Sequence, residues 1–574
     1  MLPQAKNTES QVRGERLCIA ELIALQIVGW SFTTLALTAL LFWAGIPIGP
    51  YHLWAALLLF LTIGSRFAAD WRSWLTATIW LAVVTVAGSA ALEWLYDFTG
   101  DGQLYHLPGI LALAQGWNPF HASRLVEWNP AFLQMLPWTD INYPTYVYVQ
   151  HYAKGSWIVA AAAYRGMGLL EAAKLFTLLY MMAVYLTALP FLRRLGLSRG
   201  WSYLLAAAAA ANPVVLYQLS SFFIDGEIAS LFALLLLSSL DYFRRPRRHA
   251  LFLVGACIVL LVNVKFTGAV FAAALVGGLG ILAWFHARRA DVARYAAIGA
   301  TSLLVGVTFI GYQPYVTNFV QHGHPFYPAL RGDGGRDVLW HSAPAQFMAM
   351  NPVEKQVRSL FARSAGADEM PRWKVPFAVS KEELYIFFNA EPRYGGFGPL
   401  FGSILLVSLV VLFIARNVTR SEPWKMGAVL AALIAVTAII NPAAWWARLS
   451  PQLWLVPVII VSAVALGASG WPRRTAGVVA LLLLGNSTLV GALNVGRAIE
   501  KNLLFREQLA DLKAMSSGGP LEIAVHPSFQ MVTEHRLMAQ SIPYRLVNKP
   551  SCATPVLFSY PAAAQAAACP YRNG

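Results

Sequence analysis

The sequence predicts an all-α polytopic membrane protein of about thirteen transmembrane helices, with outside loops carrying juxtamembrane helices and a small α/β tail. Three observations predict it. Apolar runs such as Leu22–Ile46, Trp74–Leu92 and Ala172–Leu192 approach or exceed the roughly 20 residues that a span needs. Only 12% of the 574 residues are charged while 57% are hydrophobic; a soluble chain carries about twice that charged fraction. The net charge of +15 is carried by short basic clusters that alternate with the apolar runs, as cytoplasmic loops do. A soluble globule is excluded, and the positive charge reports topology rather than a nucleic-acid partner.

The runs place spans at 18–44, 51–65, 73–94, 170–192, 201–219, 226–243, 249–264, 267–286, 295–313, 398–415, 426–441, 452–470 and 475–495. Basic residues fall before the first run (Lys6, Arg13, Arg16) and then after every second one: Arg66 and Arg72, Arg193 and Arg194, Arg244 to Arg248, Arg288 and Arg289, Arg416 and Arg420, Arg473 and Arg474. That parity puts the N-terminus inside and the C-terminus outside. The first run is too long, and lacks the small-residue site, for a cleaved signal peptide. Gly155–Ala163 is apolar but too short to cross, and is expected as a helix lying on the outer surface. The division expected is a transmembrane domain over 1–496, with outside loops at about 95–169 and 314–396, and an outside domain over 497–574.

Ionisable groups gather at the outer span ends. The first outside loop holds Asp97 and Asp101, four apart and so on one face of any helix, although Gly100 and Gly102 argue for a turn. Either acid, held just outside the bilayer, suits a general base acting on a hydroxyl or amine; the bland alternative is a solvated loop acid or helix cap. The loop closes on Asn142-Tyr143-Pro144 and His151-Tyr152-Ala153-Lys154-Gly155. Lys154 and His151 are candidate phosphate contacts, weighed against a snorkelling lysine and interfacial aromatics. Asp225-Gly226-Glu227 sits at the mouth between two spans, and Lys265 falls between two runs with almost no loop to hydrate it. A cation there needs an anion, either Asp225 or a lipid phosphate. Arg448, in Trp445-Trp446-Ala447-Arg448, offers a planar guanidinium suited to bidentate phosphate contact.

Taken together in order and spacing over residues 70–460, these elements resemble the GT-C glycosyltransferases, in particular the lipid A aminoarabinose transferases and protein O-mannosyltransferases. Asp101-x-x-x-Tyr105-His106-Leu107-Pro108 is similar to the family's first-loop motif, whose Asp is the implied base. Asn142-Tyr143-Pro144 with Lys154-Gly155 is similar to the stretch that closes that loop, and Asp225 falls at a second acid position. Lys265-Phe-Thr-Gly268 resembles an element implied to bind donor phosphate. Gly323-His-Pro-Phe-Tyr-Pro328 is similar to a stretch of uncharacterised members. The resemblance implies a polyprenyl-phosphate sugar donor of undecaprenyl type and an envelope glycan, lipid or protein acceptor. It also implies an inverting displacement at the periplasmic face of a bacterial inner membrane. Catalytic candidates are then Asp101, Asp97 and Asp225, and substrate-binding candidates Tyr105, His106, Tyr143, Lys154, Glu227, Lys265 and Arg448. Gly102-Gln103 stands where a second acid often follows the first, so any divalent cation would fall to Asp101 and Asp225.

In the tail, Ile499–Met515 is expected as an amphipathic helix, Ser516–Pro520 as a break, and Leu521–Val525 and Tyr544–Val547 as short strands. Cys18 and Cys257 lie in spans and read as inert; Cys552 and Cys569 share the tail, with no CxxC or clustered His to suggest zinc. A lipid-linked oligosaccharide flippase or other carrier would place charge within spans and show internal repeats. A polysaccharide polymerase or ligase would favour paired arginines in the outside loop, and a bare membrane anchor leaves Asp225 and Lys265 unexplained.

Overall fold

In lipid a backbone must satisfy its own hydrogen bonds, so the apolar runs become helices. The computed structural model describes residues 17–129, 143–329, 342–418, 422–552, 554–558 and 566–570. Helices α1 (Ile19–Trp43), α2 (His52–Gly64) and α3 (Trp71–Glu93) are followed by the short α4 (Leu107–Ala114), α5 (Tyr143–His151) and α6 (Gly155–Met167). Then come α7 (Leu175–Arg194), α8 (Arg199–Ala210), α9 (Pro213–Gln218), α10 (Asp225–Arg244), α11 (Arg248–Val264), α12 (Phe266–Trp284) and α13 (Arg289–Val305). The set closes with α14 (Phe401–Val418), α15 (Pro423–Ile439), α16 (Leu455–Gly467) and α17 (Gly470–Met515). By length and composition, seven helices among the described residues can cross a membrane, and five shorter apolar ones lie between them. The chain is a helical membrane protein. Its centre is α7, packed on α1, α8 and α10, with α11 joining α10 to α12 and α13.

The charge alternation has a physical counterpart in the bundle. At one end Arg194 bonds Glu21 (2.5 Å) and Asp241 (3.1 Å), which ties α7 to α1 and α10 beside His249 of α11. Asp225 starts α10 about 24 Å away along the same helix axis, at the end where the large loops and the tail collect. The first is the basic end of the bundle and the second its loop end.

Five expectations are corrected. The span expected at 201–219 is interrupted at Ala211-Asn212: Pro213 disfavours helix in the residue before it, and Asn212 caps the new helix through Val214 N (3.0 Å). The span expected at 295–313 begins earlier and ends in a π-helical turn, Gly306–Ile310, where Asn263 Nδ2 bonds the Gly306 carbonyl (3.0 Å). Gly155–Ala163 is helical, as expected, but every one of these residues is buried under the loop end rather than lying on its surface. Gly100 and Gly102 do not make a turn; the chain turns at 94–99 and is helical from Gly100, with a π-helical segment Gly102–His106. Gly102 is there for close approach: a Cβ would lie 2.0 Å from Asp97 Oδ2 and 2.4 Å from Thr99 Oγ1.

The fifth correction is at the last span. α17 is one 46-residue helix that runs through residue 496, where a boundary was expected. A lone Gly496 costs a helix only about 1 kcal/mol, less than is recovered by burying Phe505, Leu509 and Leu512 against the tail core. Beyond it the two expected strands form, β1 (Leu521–Ala524) and β2 (Tyr544–Leu546), with α18 (Pro527–Ala539) between them. Two strands escaped the sequence reading, β3 (Val556–Phe558) and β4 (Ala566–Pro570). The sheet order is β2-β1-β4-β3; β1 and β2 are parallel (Leu521 opposite Tyr544) and the other pairs antiparallel. A Cys552–Cys569 disulfide joins the segment before β3 to β4.

Candidate active site

Five separate connections bring charge together at the loop end. Asp101 comes from the helical segment that follows the loop after α3, Asp225 from the start of α10, and Lys265 from the junction of α11 and α12. Glu391 comes from the loop before α14, and Arg448 from a 3-10 turn after α15. Arg448 is the hub. Its Nη2 donates to Asp101 Oδ2 (2.7 Å), its Nη1 to Glu391 Oε1 (2.5 Å), and its Nε lies 3.7 Å from Asp225 Oδ2. The guanidinium stacks on Trp446 (4.2 Å) and faces Phe223 (4.7 Å), and Trp446 carries Arg393 on its ring as well (3.6 Å). Lys265 Nζ donates to Asp225 Oδ1 (2.7 Å), whose other oxygen accepts from Gln218 Nε2 (3.3 Å). Asp225 is buried, at 2% side-chain exposure, while Asp101 keeps 23% and Glu391 29%. The two acids that meet solvent are therefore the two on the open side of Arg448.

The electrostatics follow from that placement. Burial alone would raise the Asp101 carboxyl, but the Arg448 guanidinium, helped by hydrogen bonds from Arg448 and Tyr105, holds it below its ordinary value. Burial wins at Glu391 and pushes it up, against Arg448 and with repulsion from Asp101 added. His106 is buried and pushed down to about 3, so it is neutral at working pH. Its Nδ1 accepts from Trp157 Nε1 (2.8 Å), leaving the proton on Nε2. Tyr105 stands beside Asp101 in a wall of aromatic rings with Tyr148 (5.0 Å) and Tyr152 (6.1 Å).

The remaining candidates lie elsewhere. The Asp97 carboxylate accepts from the backbone N–H groups of Thr99 (2.7 Å) and Phe222 (2.7 Å) and from the Thr99 hydroxyl, which is the work of a loop-fixing acid. Glu227 turns away from Arg448 and accepts from Ser156 Oγ (2.6 Å) and Thr177 Oγ1 (3.4 Å), linking α6, α7 and α10. Lys154 is buried behind His106, donating to the carbonyls of Gln150 (2.9 Å) and Tyr152 (2.8 Å) between the rings of Trp117 and Trp157. Burial pushes its amine well below the ordinary lysine value. His151 Nδ1 meets Asn318 Oδ1 (2.8 Å). Tyr143 belongs to α5, and its side chain lies outside the described residues, as does Asn142.

Glu391 was missed by sequence reading, because it sits alone in a polar loop, 57 residues from the arginine it meets. Gln218 was missed as a partner of Asp225 because an uncharged amide at the end of an apolar run carries no local mark. The donor set does not fit a resident divalent cation. Asp101, Asp225 and Glu391 are already turned on Arg448 and Lys265, and among the described residues no group of three His, Cys, Asp or Glu side chains is placed to share one ion.

A cavity of about 260 Å³ lies toward the basic end, between α7, α8, α10, α15 and α16; its lining is apolar except for Arg244 and Ser462 and carries no carboxylate. It is remote from the charged cluster. No family model matches the chain, and no curated protein matches it. Among solved structures the chain is similar to a crystal structure of ArnT from Cupriavidus metallidurans bound to undecaprenyl phosphate. The TM-score is 0.38 and the identity 13%, over 87% of this chain and 98% of that one.

Proposed function

We propose that this protein is a GT-C-type glycosyltransferase of a bacterial inner membrane. It moves a sugar from a polyprenyl-phosphate donor to an envelope glycan, lipid or protein acceptor at the periplasmic face. The observation that carries the reading is the Asp101–Arg448–Asp225–Lys265 cluster at the ends of membrane-crossing helices. It offers a carboxylate to an incoming nucleophile and two cations to a departing phosphate, at helix ends that a lipid-linked headgroup would reach. In a single displacement the acceptor oxygen forms a bond to the anomeric carbon and gives its proton to Asp101. The anomeric C–O bond to phosphate breaks, and the polyprenyl phosphate leaves with the electron pair.

Arg448 and Lys265 face the charge that grows on the leaving phosphate, and such preorganised cations commonly supply a few kcal/mol each. Arg448 also keeps Asp101 ionised, so the base is ready without any raised pKa; its modest basicity suffices because the acceptor proton becomes acidic only as the new bond forms. Asp225 balances Lys265 when no phosphate is present, since an unpaired buried ammonium is costly. A flippase would leave the donor bond intact. Purified protein in liposomes, supplied with polyprenyl-phosphate sugar and envelope extract, should release free polyprenyl phosphate and form a new glycoside. Movement of unaltered donor between leaflets would contradict the reading.

A further inference from the structure

Beside the charged cluster is a cavity of about 190 Å³ that the reaction above does not use, bounded by residues 96–100, the 388–391 loop and α17. Its walls include Tyr96, Tyr217, Phe388, Asn494, Lys501 and Glu391. One placement points to a ligand here. Glu391 is one guanidinium away from the proposed base, through Arg448 Nη1 (2.5 Å) and Nη2 (2.7 Å), and Gly100, the residue before Asp101, also lines the cavity. Tyr96 and Phe388 bring aromatic rings to the walls, and Asn389 and Glu391 bring polar side chains that meet solvent.

We propose that this cavity is the acceptor subsite and that its ligand is a neutral carbohydrate ring. The inference rests on the glycosyl-transfer reading and names its acceptor class. The volume holds on the order of a dozen waters, the room that one monosaccharide needs. Aromatic side chains give apolar faces for the C–H side of a ring, while a phenol, an amide and a carboxylate meet its hydroxyls. Asp97 and Glu391 against the single cation Lys501 make the lining unsuited to a phosphate or other polyanion. The ring hydroxyl nearest Gly100 attacks the anomeric carbon, and its proton passes to Asp101 as the polyprenyl phosphate departs with the bonding pair.

The test is saturation-transfer NMR on the full chain in nanodiscs, with methyl glycosides of common hexoses and pentoses and a serine tripeptide as probes. Undecaprenyl phosphate binding is measured on the same samples. Ring-proton signals are expected from at least one glycoside and none from the tripeptide. Asn389→Leu should weaken that glycoside about five-fold, as for one lost neutral hydrogen bond, and Ala498→Trp, which fills the cavity from α17, should abolish it. Both variants should keep undecaprenyl phosphate binding, which shows that they fold. Equal glycoside signals in Ala498→Trp and wild type, signals from the tripeptide alone, or no glycoside signal beside intact undecaprenyl phosphate binding would each overturn the subsite. Wild type that binds no undecaprenyl phosphate would instead overturn the glycosyl-transfer reading beneath it.

Discussion

Lys265 illustrates how a single side chain can be read from the sequence and still need the structure for its partner. Its position between two apolar runs required an anion, and two candidates met that need. The observed Nζ–Oδ1 distance to Asp225 is 2.7 Å. If the pair only joins helices, Lys265→Met lowers the melting temperature and leaves donor affinity unchanged. The proposed mechanism has the ammonium exchange Asp225 for the phosphate. Lys265→Met should then weaken donor binding by about 1.5–3 kcal/mol, the range for a charge-assisted hydrogen bond, measured on the same preparation as the melting temperature. The pH dependence is also a residue-scale matter. Asp101 has its folded pKa depressed, so its pairing with Arg448 contributes fully above the ordinary carboxylate value and is lost only as pH falls through the lower folded value. His106, pushed down to about 3 by burial, stays neutral. Turnover should therefore show no inflection near pH 6.5 that disappears in His106→Asn; a profile with such an inflection would show that His106 titrates in the reaction.

At the scale of elements, the tail meets the loop that carries Asp101 through several contacts, two arginines among them; Arg506 donates to the Trp94 carbonyl (3.0 Å). Arg536 of α18 is buried, donates to the Asp97 carbonyl (2.6 Å), lies 3.4 Å from Glu171 and from Gln103, and faces the rings of Tyr96, Phe98 and Phe505. Asp97 and Gln103 flank Asp101 in the chain, so the tail braces the helix that presents Asp101, the proposed base. Arg536→Leu leaves Glu171 with Lys174 (2.7 Å) and the Asp97 N–H (3.2 Å); breaking such a buried network costs about 3–5 kcal/mol. The variant should lose protease resistance in the tail and should lose more in kcat than in donor affinity. Unaltered proteolysis together with unaltered turnover would refute the bracing role. The continuity of α17 has its own check. Gly496 lies in its interior, and a methyl group added there would meet nothing within 4 Å, so Gly496→Ala should stabilise by about 0.5–1 kcal/mol. No gain in melting temperature would mean that the helix is broken there.

For the whole molecule, periodicity and charge made the bundle legible, because lipid leaves few ways to satisfy a backbone. Span positions from α1 to α3 and α10 to α12 agree with the sequence reading to within a few residues. What escaped it depended on neighbours far along the chain. The interruption before Pro213 has a local signal, the residue before a proline, which the apolar run around it masks. The persistence of α17 through Gly496 has none, since it depends on a tail core that includes Phe98. Asp101, Asp225, Lys265 and Arg448 were each legible as charges at span ends, and the fold brings all four together. Glu391 and Arg536 had no local pattern to mark them, and Asp97, four residues from Asp101, gave no hint that its oxygens serve backbone N–H groups instead. The charge alternation further predicts that a reporter fused after Gly574 is active only in the oxidising compartment, and one after Arg248 only in the cytoplasm. The opposite pattern at either position would turn the cluster toward the wrong face of the membrane.

In the proposed mechanism Asp101 receives the acceptor proton while Arg448 holds it ionised. Asp101→Asn keeps the shape and a hydrogen bond to spare while removing the basicity. The decisive measurement is turnover of polyprenyl-phosphate sugar by purified protein, with donor binding on the same preparation. Turnover should fall by about 10²-fold or more with donor binding preserved. A rate near that of the wild type would rule out Asp101 as the base.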